Sequence, residues 1–141
     1  MKYKFFDHTA DVLFEAYGKN LEELFENAAL ATESIMVETK SIKKKEQYDI
    51  FLQASDIENL LYDFLSELIF LKDTEGLLFS KFSIIITCSK GKYELNAKCE
   101  GDFIDRERHE LIADAKAVTL HEFKVEQKED RSWFSKVIID I

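Results

Sequence analysis

The 141-residue sequence contains no proline, two cysteines and four glycines. The absence of proline argues against a proline-rich linker or a polyproline segment. Cys88 and Cys99 are too few for a disulfide framework, and no Cys-x-x-Cys spacing indicates a zinc site or a redox pair. We therefore predict that both cysteines are reduced residues of the core.

The sequence also lacks a long hydrophobic run. Its apolar stretches are far shorter than the roughly 18–20 residues that cross a bilayer, and its first residues do not form an apolar signal-peptide segment. We therefore expect a cytoplasmic protein without a membrane partner.

Positive charge is scarce: the sequence has 19 Lys and Arg residues but 28 Asp and Glu residues, so its formal net charge is −9. An acidic surface repels phosphate backbones, so direct nucleic-acid binding is not expected. The charge favours a protein or a metal ion as the partner.

The sequence lacks the motifs of familiar enzyme classes. Gly91 and Gly101 are isolated, so no glycine-rich loop is available to hold a nucleotide phosphate. Neither a G-x-S-x-G nor an H-E-x-x-H motif occurs. A hydrolase or kinase of familiar type is therefore poorly supported.

Apolar side chains are abundant, at 46% of residues including 12 Phe, and predict one compact domain over residues 1–141. Asn20 and Glu23 form the start signal of a helix whose apolar residues repeat at helical spacing as far as Ile35. Ser55 and Glu58 give a similar signal for a second helix that reaches toward Gly76.

Strands are predicted in the remaining segments by alternating apolar residues. One strand covers residues 48–54, and two hairpins follow at residues 82–99 and 123–141, whereas residues 114–119 fit a short helix or a strand entry. The order β-α-β-α-β-β-β-β predicts a single two-layer α+β domain, with two amphipathic helices packed on a mixed or antiparallel sheet.

The run His8-Thr9-Ala10-Asp11 places polar side chains between two strongly apolar stretches, so it should form a turn or a strand end beside the core. A carboxylate buried there without a partner is costly, so Asp11 should have a donor, a cation or a metal nearby. His8 is open to three interpretations: a general base, a metal ligand, or a ring that donates a hydrogen bond to Asp11.

The sequence finishes with a carboxylate inside a strand-like apolar pattern, Val137-Ile138-Ile139-Asp140-Ile141. Strand alternation turns Asp140 away from the apolar face and places it within a few ångströms of the terminal carboxylate of Ile141. Together with Asp11, these groups would supply three hard oxygen ligands, which suit Ca²⁺ or Mg²⁺. Sequence spacing alone does not join the two ends of the chain.

Lys116 lies among apolar residues, where a lysine usually finds a carboxylate or extends toward solvent. Asp11 or Asp140 is its expected partner. In the alternative to a metal site, Asp11 caps a turn and Asp140 pairs with Lys136 or Lys116.

Two further histidines offer weaker signals. His121 begins a strand pattern, where it either makes a structural hydrogen bond or approaches the site. His109 lies in the charged stretch 105–110, which predicts a solvated loop, and no Cys and His arrangement indicates a nucleophile.

In combination and order, four fragments resemble the archease family, small activators associated with RtcB-type RNA ligases. The resemblance spans essentially the whole chain, although Leu120 stands where the family more usually has an aromatic residue. The fragments are Phe6-Asp7-His8-Thr9-Ala10-Asp11, Leu21-Glu22-Glu23-Leu24-Phe25-Glu26-Asn27-Ala28-Ala29, Lys116-Ala117-Val118-Thr119-Leu120-His121 and Val137-Ile138-Ile139-Asp140-Ile141.

The resemblance implies a chaperone-like activator that promotes guanylylation and repeated turnover of an RtcB-type ligase in tRNA splicing and RNA repair. It implies no catalytic residue in this chain. It does imply an acidic divalent-metal site, for Ca²⁺ or Mg²⁺, which falls on Asp11, Asp140 and Ile141, with Lys116 and His8 linked to activity.

Two other functions stay open on the residues alone. In one, the chain is a metal-dependent hydrolase or nuclease in which Asp11 and Asp140 activate water and His8 acts as the base. In the other, it is a binding module whose acidic end only caps the structure.

Overall fold

The computed structural model describes residues 1–7 and 10–141. Within these residues the chain forms seven strands, two α-helices and a short 3-10 helix at Thr39–Ser41. In chain order they are β1 (Tyr3–Phe6), β2 (Asp11–Gly18), α1 (Leu21–Met36), β3 (Glu46–Ala54), α2 (Ile57–Glu75), β4 (Leu77–Ser89), β5 (Lys92–Phe103), β6 (Ala117–Gln127) and β7 (Trp133–Asp140). None of the helices in this part of the chain is long and apolar enough to cross a membrane.

The strands pair antiparallel in two sheets. The first has the order β1-β2-β7-β6 and the second has the order β3-β5-β4. The predicted α+β class, with two helices packed against antiparallel strands, is confirmed. The strands are divided between two sheets, however, where a single sheet was expected.

The helices explain this division, because each is packed against strands of both sheets. Helix α1 buries residues over a wide arc of its circumference, which extends from Asn27 through Ala28 to Glu33. A helix with so wide a buried surface needs cover on more than one side. The core between helices and sheets contains the fully buried Phe14, Phe25, Phe64 and Phe79.

The predicted helix starts follow from local capping. Asn20 is the N-cap of α1, and its side chain accepts a hydrogen bond of 2.9 Å from the backbone N–H of Glu23. Helix α2 begins one residue later than Ser55 and Glu58 suggest, because Asp56 accepts the bond from the N–H of Asn59 at 2.8 Å. An aspartate caps as well as a serine does, so spacing alone could not choose between the two neighbours.

The structure adds three details to the strand predictions. The polar run after Phe6 separates two paired strands, β1 and β2, where one strand was expected. The segment that fitted either a helix or a strand enters β6 at Ala117. Strand β6 then departs from regular pairing between Thr119 and Lys124, where Glu122 has a positive φ of 55°.

The prediction for the cysteines is half confirmed. Cys99 is buried in the core, whereas Cys88 is exposed near the end of β4. Burial raises the pKa of the Cys99 thiol to about 12, so this residue stays a neutral thiol at physiological pH.

Candidate functional site

The two aspartates singled out in the sequence are direct neighbours in the first sheet. Asp11 begins β2 and Asp140 ends β7, and the antiparallel register places their Cα atoms opposite each other. Side chains at directly opposed positions lie on the same face of a sheet. The fold therefore supplies the link between the two ends of the chain that spacing could not.

The core determines which face carries these carboxylates. Phe14 and Val137 are fully buried against the helices, and they oppose each other in the same register. Alternation along the two strands turns Asp11 and Asp140 to the opposite face, where both are half-buried. Like charges placed directly opposite each other destabilise a sheet, so this pair favours a compensating cation.

A third strand completes the end of the sheet, because Ala117 of β6 opposes Asp140 on its other side. The backbone N–H of Lys116, the residue before β6, donates a hydrogen bond of 2.7 Å to the carbonyl oxygen of Asp140. Lys116 is therefore tied to the aspartate pair through its backbone.

The side chain of Lys116 does not behave as predicted. It is exposed, and within residues 1–7 and 10–141 its ammonium has no carboxylate within 4 Å. The expected ion pair with Asp11 or Asp140 is absent from that part of the chain. A lysine flanked by a buried residue and a strand start is free to extend into solvent.

The structural alternative for Asp140 is also absent from the described residues. The ammonium of Lys136 binds Glu122 at 3.1 Å and not Asp140. Lys136 opposes Glu15 across β2 and β7, four positions along the strands from the Asp11–Asp140 pair. Within residues 1–7 and 10–141, neither lysine that the sequence offered therefore pairs with Asp140.

Three predicted site residues remain: Ile141, His8 and His121. Ile141 follows β7 and is partly exposed next to Asp140. His8 lies outside the described residues. His121 is exposed in the irregular part of β6, and its Nε2 lies 3.7 Å from the Glu122 carboxylate, so in this structure it pairs locally.

Asp11 and Asp140 have donor atoms of the kind that the predicted metal site needs, but two side chains alone do not complete a set of metal ligands. Within the described residues, no three His, Cys, Asp or Glu side chains are grouped as a metal site requires. Asp11 and Asp140 supply two hard oxygen donors, and an oxygen of Ile141 is the next along the chain. Ca²⁺ and Mg²⁺ accept water and carbonyl oxygens as further ligands, so the pair suits these ions.

Sequence reasoning missed the residue that binds the two residues before Lys116. The ammonium of Lys72, near the end of α2, binds the Asp114 carboxylate and donates a hydrogen bond of 2.9 Å to the carbonyl of Ala115. The signal was available, because Lys72 continues the buried stripe of α2 at helical spacing. A lysine in such a position must bring its charge to a partner.

The charged stretch 105–110 is also more ordered than predicted. The His109 side chain is fully buried, and its Nδ1 accepts a hydrogen bond of 2.9 Å from the backbone N–H of Asp105. Arg108 forms an ion pair with Asp102. Burial alone would raise the pKa of Asp102, but the neighbouring guanidinium outweighs burial and lowers it.

Comparisons with known proteins give the family of this fold. The model of the archease protein family matches residues 3–141. The chain belongs to the archease family. It is 41% identical to the archease of Pyrococcus furiosus over 140 residues, which are 99% of each chain. It is 38% identical to the archease of Methanosarcina barkeri over 141 residues, with 99% of this chain and 96% of that one covered.

Solved structures agree with this membership. The solution structure of a Methanobacterium thermoautotrophicum protein is 39% identical, with a TM-score of 0.87 and coverage of 99% of this chain and 98% of that one. The crystal structure of a Thermotoga maritima archease, named as a possible chaperone, is 21% identical, with a TM-score of 0.59 and coverage of 98% and 96%. The second likeness shows the archease fold alone. Leu120, the departure from the family pattern, is exposed and so leaves the core of this fold unchanged.

Proposed function

We propose that this chain is a protein activator of an RtcB-type RNA ligase, which promotes guanylylation and repeated turnover of the ligase in tRNA splicing and RNA repair. Membership of the archease family supports the proposal. The observation that carries it is the pairing of Asp11 with Asp140 across β2 and β7, because the acidic residues implied by the family resemblance meet at one place.

The proposed site holds a divalent cation, Ca²⁺ or Mg²⁺, between the carboxylates of Asp11 and Asp140 and an oxygen of Ile141. Oxygen donors of this kind suit hard cations and not thiolate-seeking metals. A bound divalent cation would offset the two negative charges of the paired carboxylates at this end of the sheet. Lys116 adds an exposed ammonium beside the same end.

An activator of this kind needs a surface for its partner and no catalytic group of its own. The formal net charge of −9 favours docking on a basic, RNA-binding enzyme through electrostatic steering, without direct contact with RNA. The Thermotoga maritima relative is described as a possible chaperone, which is compatible with a protein partner.

The decisive experiment adds a substoichiometric amount of the chain to an RtcB-type ligase with GTP and a divalent metal. Enzyme guanylylation and ligated product per enzyme are measured. We expect several products per enzyme with the chain and about one without it. A single turnover in both reactions would contradict the proposal.

Site variants connect this activity to the acidic pair. Asp11→Asn and Asp140→Asn should each abolish stimulation while the folded signal persists. Asp49→Asn, which changes an exposed strand carboxylate of the other sheet, serves as the matched control. Stimulation that survives in both site variants would overturn the site, and RNA cleavage by the chain alone would support a hydrolase instead.

A further inference from the structure

The connection between β5 and β6, residues 104–116, is fastened to the ends of both helices. The N–H of Ile104 donates a hydrogen bond of 2.7 Å to the carbonyl of Gly76, just after α2. The N–H of Ile112 donates one of 2.8 Å to the carbonyl of Met36, at the end of α1. This connecting segment is therefore hydrogen-bonded to the ends of both helices before it enters β6.

Of the hydrogen bonds between this segment and the helices, the one nearest to β6 is made by the buried ammonium of Lys72. The side chain of Lys72 is 9% exposed, and its Nζ contacts the carboxylates of Asp73 and Asp114 and the carbonyl of Ala115. Burial alone would lower the pKa of Lys72, but its hydrogen bonds with Asp114 and Asp73 outweigh burial and raise the pKa. Lys72 is therefore charged wherever the protein is folded near neutral pH.

The peptide group between Ala115 and Lys116 is hydrogen-bonded at both its carbonyl oxygen and its N–H. The carbonyl oxygen of Ala115 accepts from Lys72 Nζ at 2.9 Å, and the N–H of the same peptide group, which belongs to Lys116, donates to the carbonyl of Asp140 at 2.7 Å. Because a peptide group is planar and rigid, holding both its ends fixes its orientation. A charge at the carbonyl also polarises the N–H and strengthens its bond to Asp140.

We propose that Lys72 is a positioning residue for the acidic site, which it sets through the peptide group between Ala115 and Lys116. The ion pairs of Lys72 in the described residues are with Asp73 and Asp114, and not with Asp140. The contact of Lys72 with Ala115 determines where Lys116 leaves the connecting segment and how firmly the end of β7 is held beside β6. The functional part of this inference rests on the proposed function, whereas the mechanical part stands on the contacts alone.

The test compares the wild-type chain with Lys72→Met, which keeps an unbranched side chain and removes the charge. Amide hydrogen exchange is measured by NMR for Lys116 and for the core amides of Val137 and Leu65. Since hydrogen bonds to charged groups are the stronger ones, exchange at Lys116 should accelerate by roughly tenfold or more, with little change in the core. Calcium affinity, measured by calorimetry, should fall by roughly tenfold.

Lys81→Met is the matched control, because Lys81 forms an exposed ion pair with Glu100 at 3.7 Å on β4, far from the site in the fold. It should leave both measurements unchanged. Equal acceleration at Lys116 and in the core would show a merely structural role for Lys72 and overturn the proposal. Unchanged exchange at Lys116 would overturn it as well.

A second variant covers the case in which Lys72→Met does not fold. Asp114 is 72% exposed, so Asp114→Asn is expected to fold while it weakens the same contact. It should accelerate exchange at Lys116 in the same direction, and no acceleration would contradict the proposal. If the wild-type chain neither binds calcium nor stimulates the ligase, the proposed function fails, whereas the exchange data still decide the role of Lys72.

Discussion

At the residue scale, the aspartate pair is the feature most open to direct measurement. Asp11 and Asp140 face each other on adjacent strands, so two negative charges share one end of the sheet. Replacing Asp140 with Asn removes one charge and keeps the shape of the side chain. In a metal-free buffer, we expect Asp140→Asn to raise the free energy of unfolding by roughly 0.2–1 kcal/mol, because like charges on opposed residues repel.

Addition of a divalent cation should reverse this order of stability, so that the wild type becomes more stable than Asp140→Asn. A ligand that binds only the folded state stabilises it by about 2.7 kcal/mol when its concentration is about 100 times its dissociation constant. Calorimetry with EDTA and with millimolar Ca²⁺ should show a rise in Tm for the wild type and for the Asp49→Asn control. The cation prediction would be wrong if Asp140→Asn showed the same rise.

Glu33 is a second residue with a measurable consequence, because its side chain is fully buried in α1. Burial raises the pKa of Glu33 to about 8, although the N–H of Phe79 donates a hydrogen bond of 3.3 Å to its Oε1. The folded protein therefore keeps this proton in the range between the ordinary value of 4.5 and about 8, where the unfolded chain has lost it. Folding must then become less favourable as pH rises through this range.

We expect Glu33→Gln to remove this pH dependence, because glutamine resembles the protonated carboxyl group. The stability of the variant relative to the wild type should increase by roughly 2–4 kcal/mol between pH 4.5 and pH 8. Urea unfolding at several pH values measures the difference. Glu75→Gln, at an exposed position of α2, is the control, and equal pH profiles for wild type and Glu33→Gln would refute the assignment.

At the scale of elements, β4 and β5 approach so closely at Gly101 that a side chain does not fit. A Cβ atom added there would lie 1.8 Å from the carbonyl oxygen of Leu78, next to the irregular pairing between Phe79 and Lys81. Because the obstacle is backbone, it cannot rotate away. We expect Gly101→Ala to destabilise the protein by roughly 3 kcal/mol or more.

Substitution of Gly91 serves as a comparison, because it tests the cost of a positive φ without the steric clash found at Gly101. It lies in the β4–β5 turn with φ of 74° and has open space around its Cα. Gly91→Ala should therefore cost only about 1–2 kcal/mol, which is the cost of a left-handed conformation. Denaturant unfolding of both variants checks the order, and a larger loss for Gly91→Ala would contradict the packing argument.

The elements also show why some features were predictable from sequence and others were not. The cap at Asn20 acts on an N–H three residues away, so its spacing is visible in the sequence. The neighbour relation of Asp11 and Asp140 depends on β7 entering the sheet between β2 and β6, a pairing between the two ends of the chain. Local patterns identified the oxygen donors but contain no information about which strands pair, and the family resemblance supported the grouping of Asp11 with Asp140.

Lys72 and His109 illustrate the same division within single side chains. The helical spacing of Lys72 predicts that it is buried, but not that Asp114 and Ala115 lie beside it. His109 sits in a stretch of charges that resembles a solvated loop, and its burial depends on a turn that returns to Asp105. In both cases, the surroundings of the side chain are determined by residues that the fold brings close and not by the local sequence pattern.

At the scale of the whole molecule, the formal net charge of −9 acts before any contact with a partner forms. If the chain docks on a basic ligase, its field accelerates encounter at low salt, and the acceleration is lost once the Debye length becomes shorter than the approach distance. The Debye length falls from about 10 Å at 0.1 M ionic strength to about 3 Å at 1 M. The association rate constant should therefore fall by roughly tenfold or more across this range, while the dissociation rate constant changes far less.

A charge variant tests whether the field, and not a general effect of salt, produces this dependence. Glu75→Gln combined with Glu129→Gln removes two exposed negative charges that lie outside the proposed site, so the formal net charge becomes −9 + 2 = −7. Stopped-flow association should then show a shallower dependence on ionic strength than the wild type and the same rate constant at high salt. Because long-range attraction depends on the total charge of the surface and docking depends on local contacts, identical salt slopes for the two proteins would show that net charge does not steer this encounter.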